Sequence, residues 1–255
     1  NFVVVFARPK GYFGGLALQL LVLPLVAYTI ATLANLPPAI KVGIMILSSC
    51  PCGTTSYFIT YLLNANAALS ILLTVGNSFV ALISVPIIVN FGLETFMGGH
   101  TDISLSFWST IREISTIIII PVFIGVLIKR YHPVFAAQVQ VPLKWITVML
   151  LAVVFFILLF AGEAQGGTGI TLKEILTIFP YLAIGNAFNL ATGYFMAYFL
   201  GLPTNDRLTL GVEVGIQNTS LAFLIASKWL NNEDMLKPAL VYAMFTFFTA
   251  IAYGL

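Results

Sequence analysis

The sequence predicts an all-α membrane protein, a polytopic helical bundle in which two discontinuous helices cross. Of the 255 residues, 60% are hydrophobic and only 8% are charged, whereas soluble domains carry about 25% charged residues. Eight apolar stretches are each long enough to cross ~30 Å of hydrocarbon, which takes about 20 helical residues. Two of these stretches are interrupted by helix-breaking residues near their middles.

Short connections of polar residues, Pro and Gly separate the apolar stretches, and no soluble domain fits between them. We therefore predict one transmembrane domain over residues 1–255. Because the chain begins on Asn1 and ends on Leu255 inside an apolar run, we expect it to be the core of a longer polypeptide. The predicted spans are 12–34, 38–63, 66–91, 106–129, 141–161, 174–200, 206–229 and 236–255.

The charges indicate a lipid environment and an orientation. A net charge of +2 implies no nucleic-acid partner. Cations mark the cytoplasmic side of a membrane protein, and alternate loops place six on the N-terminal side against five on the other. We therefore expect that side to be cytoplasmic, in a plasma membrane or a bacterial inner membrane. The two sets are Arg8, Lys10, Lys129, Arg130, Lys144 and Arg207, and Lys41, Arg112, Lys173, Lys228 and Lys237.

The first span carries Gln19 ahead of Pro24, and an amide at this depth is expected to face the bundle interior. The second span breaks at Pro51 and Gly53. Unpaired backbone at membrane depth is tolerated where it lines a cavity. The helix that restarts there would direct free N–H groups and a positive dipole end inward, which suits an anionic substrate group. The polar residues after this break are Thr54, Thr55 and Ser56; their hydroxyls alternatively satisfy carbonyls freed by the proline.

The third and sixth spans carry further polar residues. Ser70 and Thr74 lie four positions apart, so they share a helical face and can offer two hydroxyls to a cation. Hydroxyls in apolar helices also commonly bond their own backbone. Asn186 and Asn189 in the sixth span should face the interior as Gln19 does. Cys50 and Cys52, the only cysteines, flank Pro51 and are interpreted as small packing residues.

The seventh span holds one acidic residue, Glu213, within an apolar run. A charged group near the bilayer midplane costs roughly 2.5 kcal/mol or more and usually marks an ion or substrate path. Gly211 and Gly215 surround it, and the amides of Gln217 and Asn218 follow. Carboxylate, amide and backbone oxygens are the ligands of hard cations. The alternatives are a neutral buried carboxyl that serves only as a hydrogen-bond donor and interhelical polar contacts made by the amides.

The two interrupted spans lie at matching places, since each is followed by one further apolar span. Interrupted helices at corresponding positions of two halves point to the binding site of a secondary transporter. The pattern therefore predicts inverted repeats, with two N-terminal helices outside this chain completing the first repeat.

These residues resemble the bile acid:sodium symporter family. The resemblance covers nearly the whole chain and rests on PPAIKVGIMILSSCPCGTTSYFITYLLNANAALSILLTVGNS, with its PxGTxS break, and on LTLGVEVGIQNTSLAFLIA, with its EVGxQN motif. The resemblance implies ten helices in two inverted five-helix repeats, of which this chain holds the third to the tenth. It also implies a core domain, here 12–91 and 174–255, and a panel domain, here 106–161.

The resemblance further implies two sodium sites where the broken helices cross, with sodium as the coupling ion and no other cofactor. One site would be formed by Ser56, Ser70, Thr74 and Glu213. The other would be formed by Gln19, Glu213, Val214, Ile216 and Gln217, with Val214 and Ile216 contributing backbone carbonyls. Asn218 would face the substrate crevice.

The chain departs from the family pattern at three places. Tyr57 stands where the family has Asn, which removes an amide ligand from the first sodium site, and Cys52 stands where Gly is common. The last span lacks a polar His-Asn pair that is frequent in the family, so we expect a different substrate preference.

The sequence thus predicts a secondary transporter that imports an organic anion, driven by sodium, through alternating access. A bile acid or another carboxylate would suit the site. One alternative is arsenite efflux by a related fold, with Cys50 and Cys52 as soft ligands; another is a ligand sensor or channel without coupled transport. An enzyme is not expected, because the sequence offers no nucleophile–base pair or catalytic metal constellation.

Overall fold

The computed structural model describes residues 9–98, 104–116, 120–160 and 168–254, and within these ranges the chain is helical and contains no strand. The helices are α1 (Pro9–Leu33), α2 (Pro38–Ser49), α3 (Thr54–Leu62), α4 (Ala67–Met97), α5 (Phe107–Ile114), α6 (Ile120–Tyr131), α7 (Pro133–Phe160), α8 (Leu172–Phe199), α9 (Thr204–Gly215), α10 (Thr219–Leu224) and α11 (Lys237–Gly254). A π-helical turn, Ile225–Trp229, continues α10, and a 3-10 turn, Asp234–Leu236, precedes α11.

Several helices have the length and composition needed to cross a membrane. Among the described residues there are five such segments: Pro9–Leu33, Ala67–Met97, Leu172–Phe199, Thr204–Trp229 and Asp234–Gly254. The shorter apolar helix α2 is the first half of the span that the sequence predicted to be broken at Pro51 and Gly53. The prediction of an all-α polytopic membrane protein is confirmed, and the chain is an integral membrane protein.

The boundaries of three predicted spans were wrong. α4 continues past residue 91 to Met97. The connection expected at residues 130–140 is one residue, His132, because α7 already begins at Pro133. Proline suits this first helical position, since its fixed φ is helical and its missing N–H would have no partner there. The span expected at 106–129 continues to Tyr131 at the end of α6; its described residues form α5 and α6, and residues 117–119 lie outside the described part.

α1 contains a π-helical turn, Leu18–Val22, that was not predicted from the sequence. The N–H of Leu23 bonds the carbonyl of Leu18, and Pro24 follows, which has no N–H to give to a regular helix. Single π-turns inside α-helices occur frequently at functional sites. Here the turn carries Gln19, whose side chain is buried, as predicted.

The first helix break lies at residues 50–53. α2 ends at Ser49, and the backbone of Cys50 is extended, with ψ of 129°. The hydroxyls of Ser48 and Ser49 donate to the carbonyls of Met45 and Ile46 at 2.8 and 2.7 Å. These bonds occupy carbonyls in the last turn of α2, where Pro51 interrupts the regular hydrogen-bond ladder.

The second break lies at residues 216–218. Ile216 is extended, with φ of −118° and ψ of 120°, and Asn218 caps α10 by accepting from the N–H of Leu221 at 3.1 Å. The N–H of Asn218 donates to the carbonyl of Pro51 at 3.1 Å. This bond joins the two breaks, so the two discontinuous segments cross at their unwound turns.

α8 and α9 pack with their backbones close together. A Cβ atom placed on Gly193 of α8 would lie 2.5 Å from the carbonyl oxygen of Leu210 and 2.7 Å from the Cα of Gly211, both in α9. Small residues allow this close approach between membrane helices. The contact fixes the position of α9, which carries Glu213, relative to α8.

The division into core 12–91 with 174–255 and panel 106–161 stays a prediction, as does the inverted repeat. The largest buried apolar cluster supports it in part, since its residues come mainly from α1, α2, α4, α8, α10 and α11. Of the described residues in α6 and α7, only the half-buried Phe155 packs against this cluster. Ile114 of α5, however, is fully buried within it, so this part of the predicted panel is attached to the core.

Candidate functional site

Glu213 lies in the last turn of α9 and is fully buried, with 0% of its surface exposed. The hydroxyl of Ser70 donates to its Oε1 at 2.5 Å. The thiol of Cys52 donates to its Oε2 at 2.5 Å, and the hydroxyl of Thr74 donates to the same oxygen at 3.4 Å. Within the described residues, no Lys, Arg or His side chain forms an ion pair with this carboxylate.

The four side chains come from three separate segments. Ser70 and Thr74 lie one turn apart on α4 and both reach Glu213, as their spacing predicted. The interpretation of Cys52 as a packing residue was wrong, because the extended break turns its thiol toward the carboxylate and Thr74. Cys50, by contrast, is buried in the large apolar cluster, as expected for a packing residue.

The start of α3 holds the polar residues that follow the first break. Ser56 is fully buried; its hydroxyl donates to the carbonyl of Gly53 at 2.8 Å and lies near the Glu213 carboxylate. Thr55 is exposed, and Tyr57 is half-buried. Thr54 is the first residue of α3, and its side chain lies outside the described atoms. Ser56 thus lies beside the cluster around Glu213, whereas Thr55 is exposed.

Two glutamines bond the end of α9 in the same way. The Nε2 of Gln19 donates to the carbonyl of Glu213 at 2.7 Å, and the Nε2 of Gln217 donates to the carbonyl of Val214 at 2.8 Å. The Oε1 atoms of both glutamines are buried without a hydrogen-bond partner. A buried acceptor left in this state costs about 1–3 kcal/mol. Ile216 lies beside them in the break, and its N–H donates to the carbonyl of Val212 at 3.0 Å.

The next carbonyl of the broken helix is held by a polar network from α8 and α11. Gly215 accepts at 2.6 Å from the Nδ2 of Asn186 and at 2.6 Å from the hydroxyl of Tyr242. The Oδ1 of Asn186 accepts from the hydroxyl of Thr249 at 2.7 Å. This network, which we call the carbonyl clamp, consists of Asn186, Tyr242 and Thr249. The position of Asn186 in the interior was predicted from the sequence, whereas Tyr242 and Thr249 were not predicted to be part of the site.

Removing one donor of the carbonyl clamp should destabilise the protein modestly. We expect Tyr242→Phe to lower the free energy of unfolding by about 1 kcal/mol, because a buried hydrogen bond is lost while Asn186 still bonds Gly215. Tyr253→Phe is the matched control, since its hydroxyl bonds the regular-helix carbonyl of Arg207 at a longer 3.2 Å. Thermal unfolding in detergent measures both, and equal effects would contradict a special role for the clamp.

The arrangement is rich in oxygen acceptors and poor in positive charge. It combines the carboxylate of Glu213, the hydroxyls around it, and the two unpartnered amide oxygens. Oxygens of these kinds are what a hard cation requires. Within the described residues, no group of three or more His, Cys, Asp and Glu side chains could hold a metal ion. The chemistry that these oxygens offer is that of a ligand set for a hard cation.

Comparisons with known proteins match this chain along most of its length. Residues 1–166 match the model of the Sodium Bile acid symporter family. The chain is 30% identical over 236 residues to a protein of Oryza sativa subsp. japonica named "Probable sodium/metabolite cotransporter BASS1, chloroplastic". It is 24% identical over 227 residues to the "Uncharacterized sodium-dependent transporter YocS" of Bacillus subtilis, and 27% identical over 256 residues to the "Ileal sodium/bile acid cotransporter" of Oryctolagus cuniculus.

These alignments cover 91%, 89% and 97% of this chain and 55%, 67% and 70% of the respective relatives. The chain thus spans about half the length of the rice relative. The family model matches residues 1–166 and therefore ends before α8. The alignments with the three relatives cover so much of the chain that they also include most of its second half. A family of symporters also agrees with the expectation that the chain is not an enzyme. The chain belongs to the sodium bile acid symporter family.

Proposed function

We propose that this chain forms a sodium-coupled secondary transporter that imports a small organic anion. The observation that carries the proposal is the buried Glu213 carboxylate at the crossing of two helix breaks, next to two unpartnered amide oxygens. A buried carboxylate without a cationic partner is costly, and a bound alkali ion would supply the missing charge. The printed names of the relatives, which describe sodium-dependent transport, support the proposal.

Two sodium sites share Glu213 in this proposal. The first takes hydroxyl ligands from Ser70 and Thr74, which donate to the carboxylate, and from Ser56, which lies near it. The thiol of Cys52 occupies one carboxylate oxygen of this site, and a thiol is a poor ligand for a hard ion. Together with Tyr57 in place of an amide, this makes the first site the weaker one.

The second sodium site takes the free Oε1 atoms of Gln19 and Gln217 with the carbonyls of Val214 and Ile216. Both amide groups are fixed by hydrogen bonds from their nitrogens, so their oxygens are held at the end of α9. The Val214 carbonyl already accepts one bond from Gln217, and its second lone pair remains for an ion. Because these oxygen atoms are already fixed before the ion binds, less conformational entropy is lost on binding.

The organic anion would bind beside the start of α3. Thr54 and Thr55 are the first residues of this nine-residue helix, whose N-terminus attracts negative charge. Asn218 lies opposite, since a Cβ on Gly53 would be 3.6 Å from its side chain. The Oδ1 of Asn218 is used by the helix cap, so its Nδ2 is the group available to an anion. Bile acids and smaller carboxylates both suit such a site.

Transport would follow alternating access, with a core that carries both crossing segments moving against a panel. In that scheme sodium neutralises Glu213 and orders the crossing before the core moves. The proposed location is a plasma membrane or a bacterial inner membrane, with the N-terminal side of the chain in the cytoplasm.

Arsenite efflux would require both thiols to reach one soft ion. Cys50 is packed in the large apolar cluster, whereas Cys52 contacts Glu213 and Thr74. The two thiols therefore lie in different environments, one apolar and one polar. This geometry supports the sodium proposal over arsenite efflux. A sensor or channel differs from a transporter in one measurable respect, because only coupled transport concentrates a solute in sealed vesicles.

Sodium binding can be tested before the substrate is known. We expect NaCl to raise the melting temperature of the detergent-solubilised protein over equal concentrations of choline chloride, and the protein to bind ²²Na⁺ saturably. A ligand that binds only the folded state stabilises it by about 2.7 kcal/mol at a hundred times its dissociation constant. Identical melting in both salts, without ²²Na⁺ binding, would reject sodium coupling. Uptake of taurocholate and pantoate into vesicles, with and without a sodium gradient, then tests transport.

A further inference from the structure

A small cavity lies between α1, α2 and α8 and reaches the second helix break. Its polar lining consists of Ser48, Tyr181, Asn186, Asn189, Gln217 and Tyr242, and the rest of the wall is apolar. The lining includes no Lys, Arg or His and no acid. The cavity is therefore neutral and closely adjoins the end of the helix that carries Glu213.

Most polar atoms in this wall already have partners. Asn186 and Tyr242 are occupied in the carbonyl clamp, and the hydroxyl of Ser48 donates to the carbonyl of Met45. Two atoms differ: the Oδ1 of Asn189 and the Oε1 of Gln217 are buried and accept no hydrogen bond from the described residues. Their side chains are 8% and 6% exposed. Both atoms are acceptors, so an occupant must bring a positive charge or an N–H or O–H donor.

The size of the cavity limits what it can hold. Its volume is about 30 Å³, and one water molecule needs roughly 10–15 Å³ measured in this way. A small ion, or one or two waters, fits this space, whereas a bile acid or another organic carboxylate does not. The two free oxygens are also acceptors, so they offer no hydrogen-bond donor to an organic anion.

We propose that Asn189 and Gln217 bind a monovalent cation in this cavity, at a position through which sodium passes on its way to or from Glu213. The inference rests on the proposed function and adds a residue of α8, Asn189, to the ion's path. Gln217 would serve both positions, because its amide lies at the break and also lines the cavity. A passing ion needs successive sites of moderate affinity, and two neutral amide oxygens provide such a site.

The proposal is tested by binding of ²²Na⁺ to the purified full-length protein and its variants. Asn189→Leu keeps the approximate shape of the side chain and removes the oxygen, so we expect the weaker component of the sodium-binding isotherm, which belongs to the cavity, to lose about tenfold in affinity while the component at Glu213 is unchanged. Asn189→Asp keeps an oxygen in place, adds charge and should bind sodium at least as tightly as the unaltered protein. Thr192→Val is the control, because its hydroxyl on the same helix is already bonded to the carbonyl of Phe188 at 2.7 Å.

The possible outcomes separate this inference from the function on which it rests. If the unaltered protein binds sodium and Asn189→Leu binds it equally well, the cavity holds only water and the inference is wrong, while sodium coupling stands. If Asn189→Leu does not fold, weakened binding by Asn189→Asp contradicts the inference on its own. If the unaltered protein binds no sodium, both proposals fail. Competition by Li⁺ stronger than by Cs⁺ is also expected from a cavity of this size, and the reverse order would contradict it.

Discussion

Glu213→Gln should abolish the response of the protein to sodium while leaving it folded. The substitution keeps the shape of the side chain and removes its charge. A charge pair about 4 Å apart is worth roughly 4 kcal/mol at the effective dielectric constant of ~20 found near protein sites. Because 1.4 kcal/mol is a factor of ten in affinity, we expect sodium to bind at least about a hundredfold more weakly.

The stability of the same variant without sodium distinguishes a lost ion site from a misfolded protein. A buried carboxylate without a cation is unfavourable, so the neutral amide should melt in choline chloride at the same temperature as the unaltered protein or higher. Glu94→Gln is the matched control, since Glu94 is an exposed acid on α4, and it should retain the full shift in melting temperature. A Glu213→Gln protein that is still stabilised by sodium would show that this carboxylate is no ligand.

The parts of the site that the sequence predicted correctly are those set by local chemistry. Pro51 and Gly53 close together disfavour a continuous helix, and Glu213 is the only acid in its apolar run, so both breaks and the buried carboxylate were visible in the chain alone. The four-residue spacing of Ser70 and Thr74 fixed a shared face because α4 is a regular helix there. In each case the residue type or the spacing is compatible with only a few local structures.

The parts that the sequence did not predict depend on irregular backbone or on distant partners. The thiol of Cys52 faces Glu213 because of the dihedral angles of an extended break, which no periodicity describes. Tyr242 and Thr249 look like ordinary residues of an apolar helix until α11 is placed beside the Gly215 carbonyl. The π-turn that carries Gln19 likewise has no distinct sequence pattern beyond the nearby Pro24.

The contact between α8 and α9 gives a further prediction with a large effect. We expect Gly193→Ala to lower the free energy of unfolding by about 1–3 kcal/mol, the usual cost of overfilling a packed site. The added Cβ would lie 2.5 Å from the Leu210 carbonyl oxygen, and that oxygen and the Gly211 Cα belong to the backbone of α9. Neither can move without moving the helix that presents Glu213, so the affinity for sodium should fall as well.

Gly125→Ala in α6 is the matched control for this prediction, because a Cβ there meets no atom within 4 Å. Alanine is favoured over glycine in a helix interior by about 1 kcal/mol, so without a steric conflict both variants should be at least as stable as the unaltered protein. We expect opposite signs instead: Gly125→Ala neutral or stabilising, and Gly193→Ala destabilising with a weaker sodium-dependent shift in melting temperature. Equal behaviour of the two variants would mean that α8 and α9 are not held at this distance, and the placement of Glu213 against α4 would then lose its support.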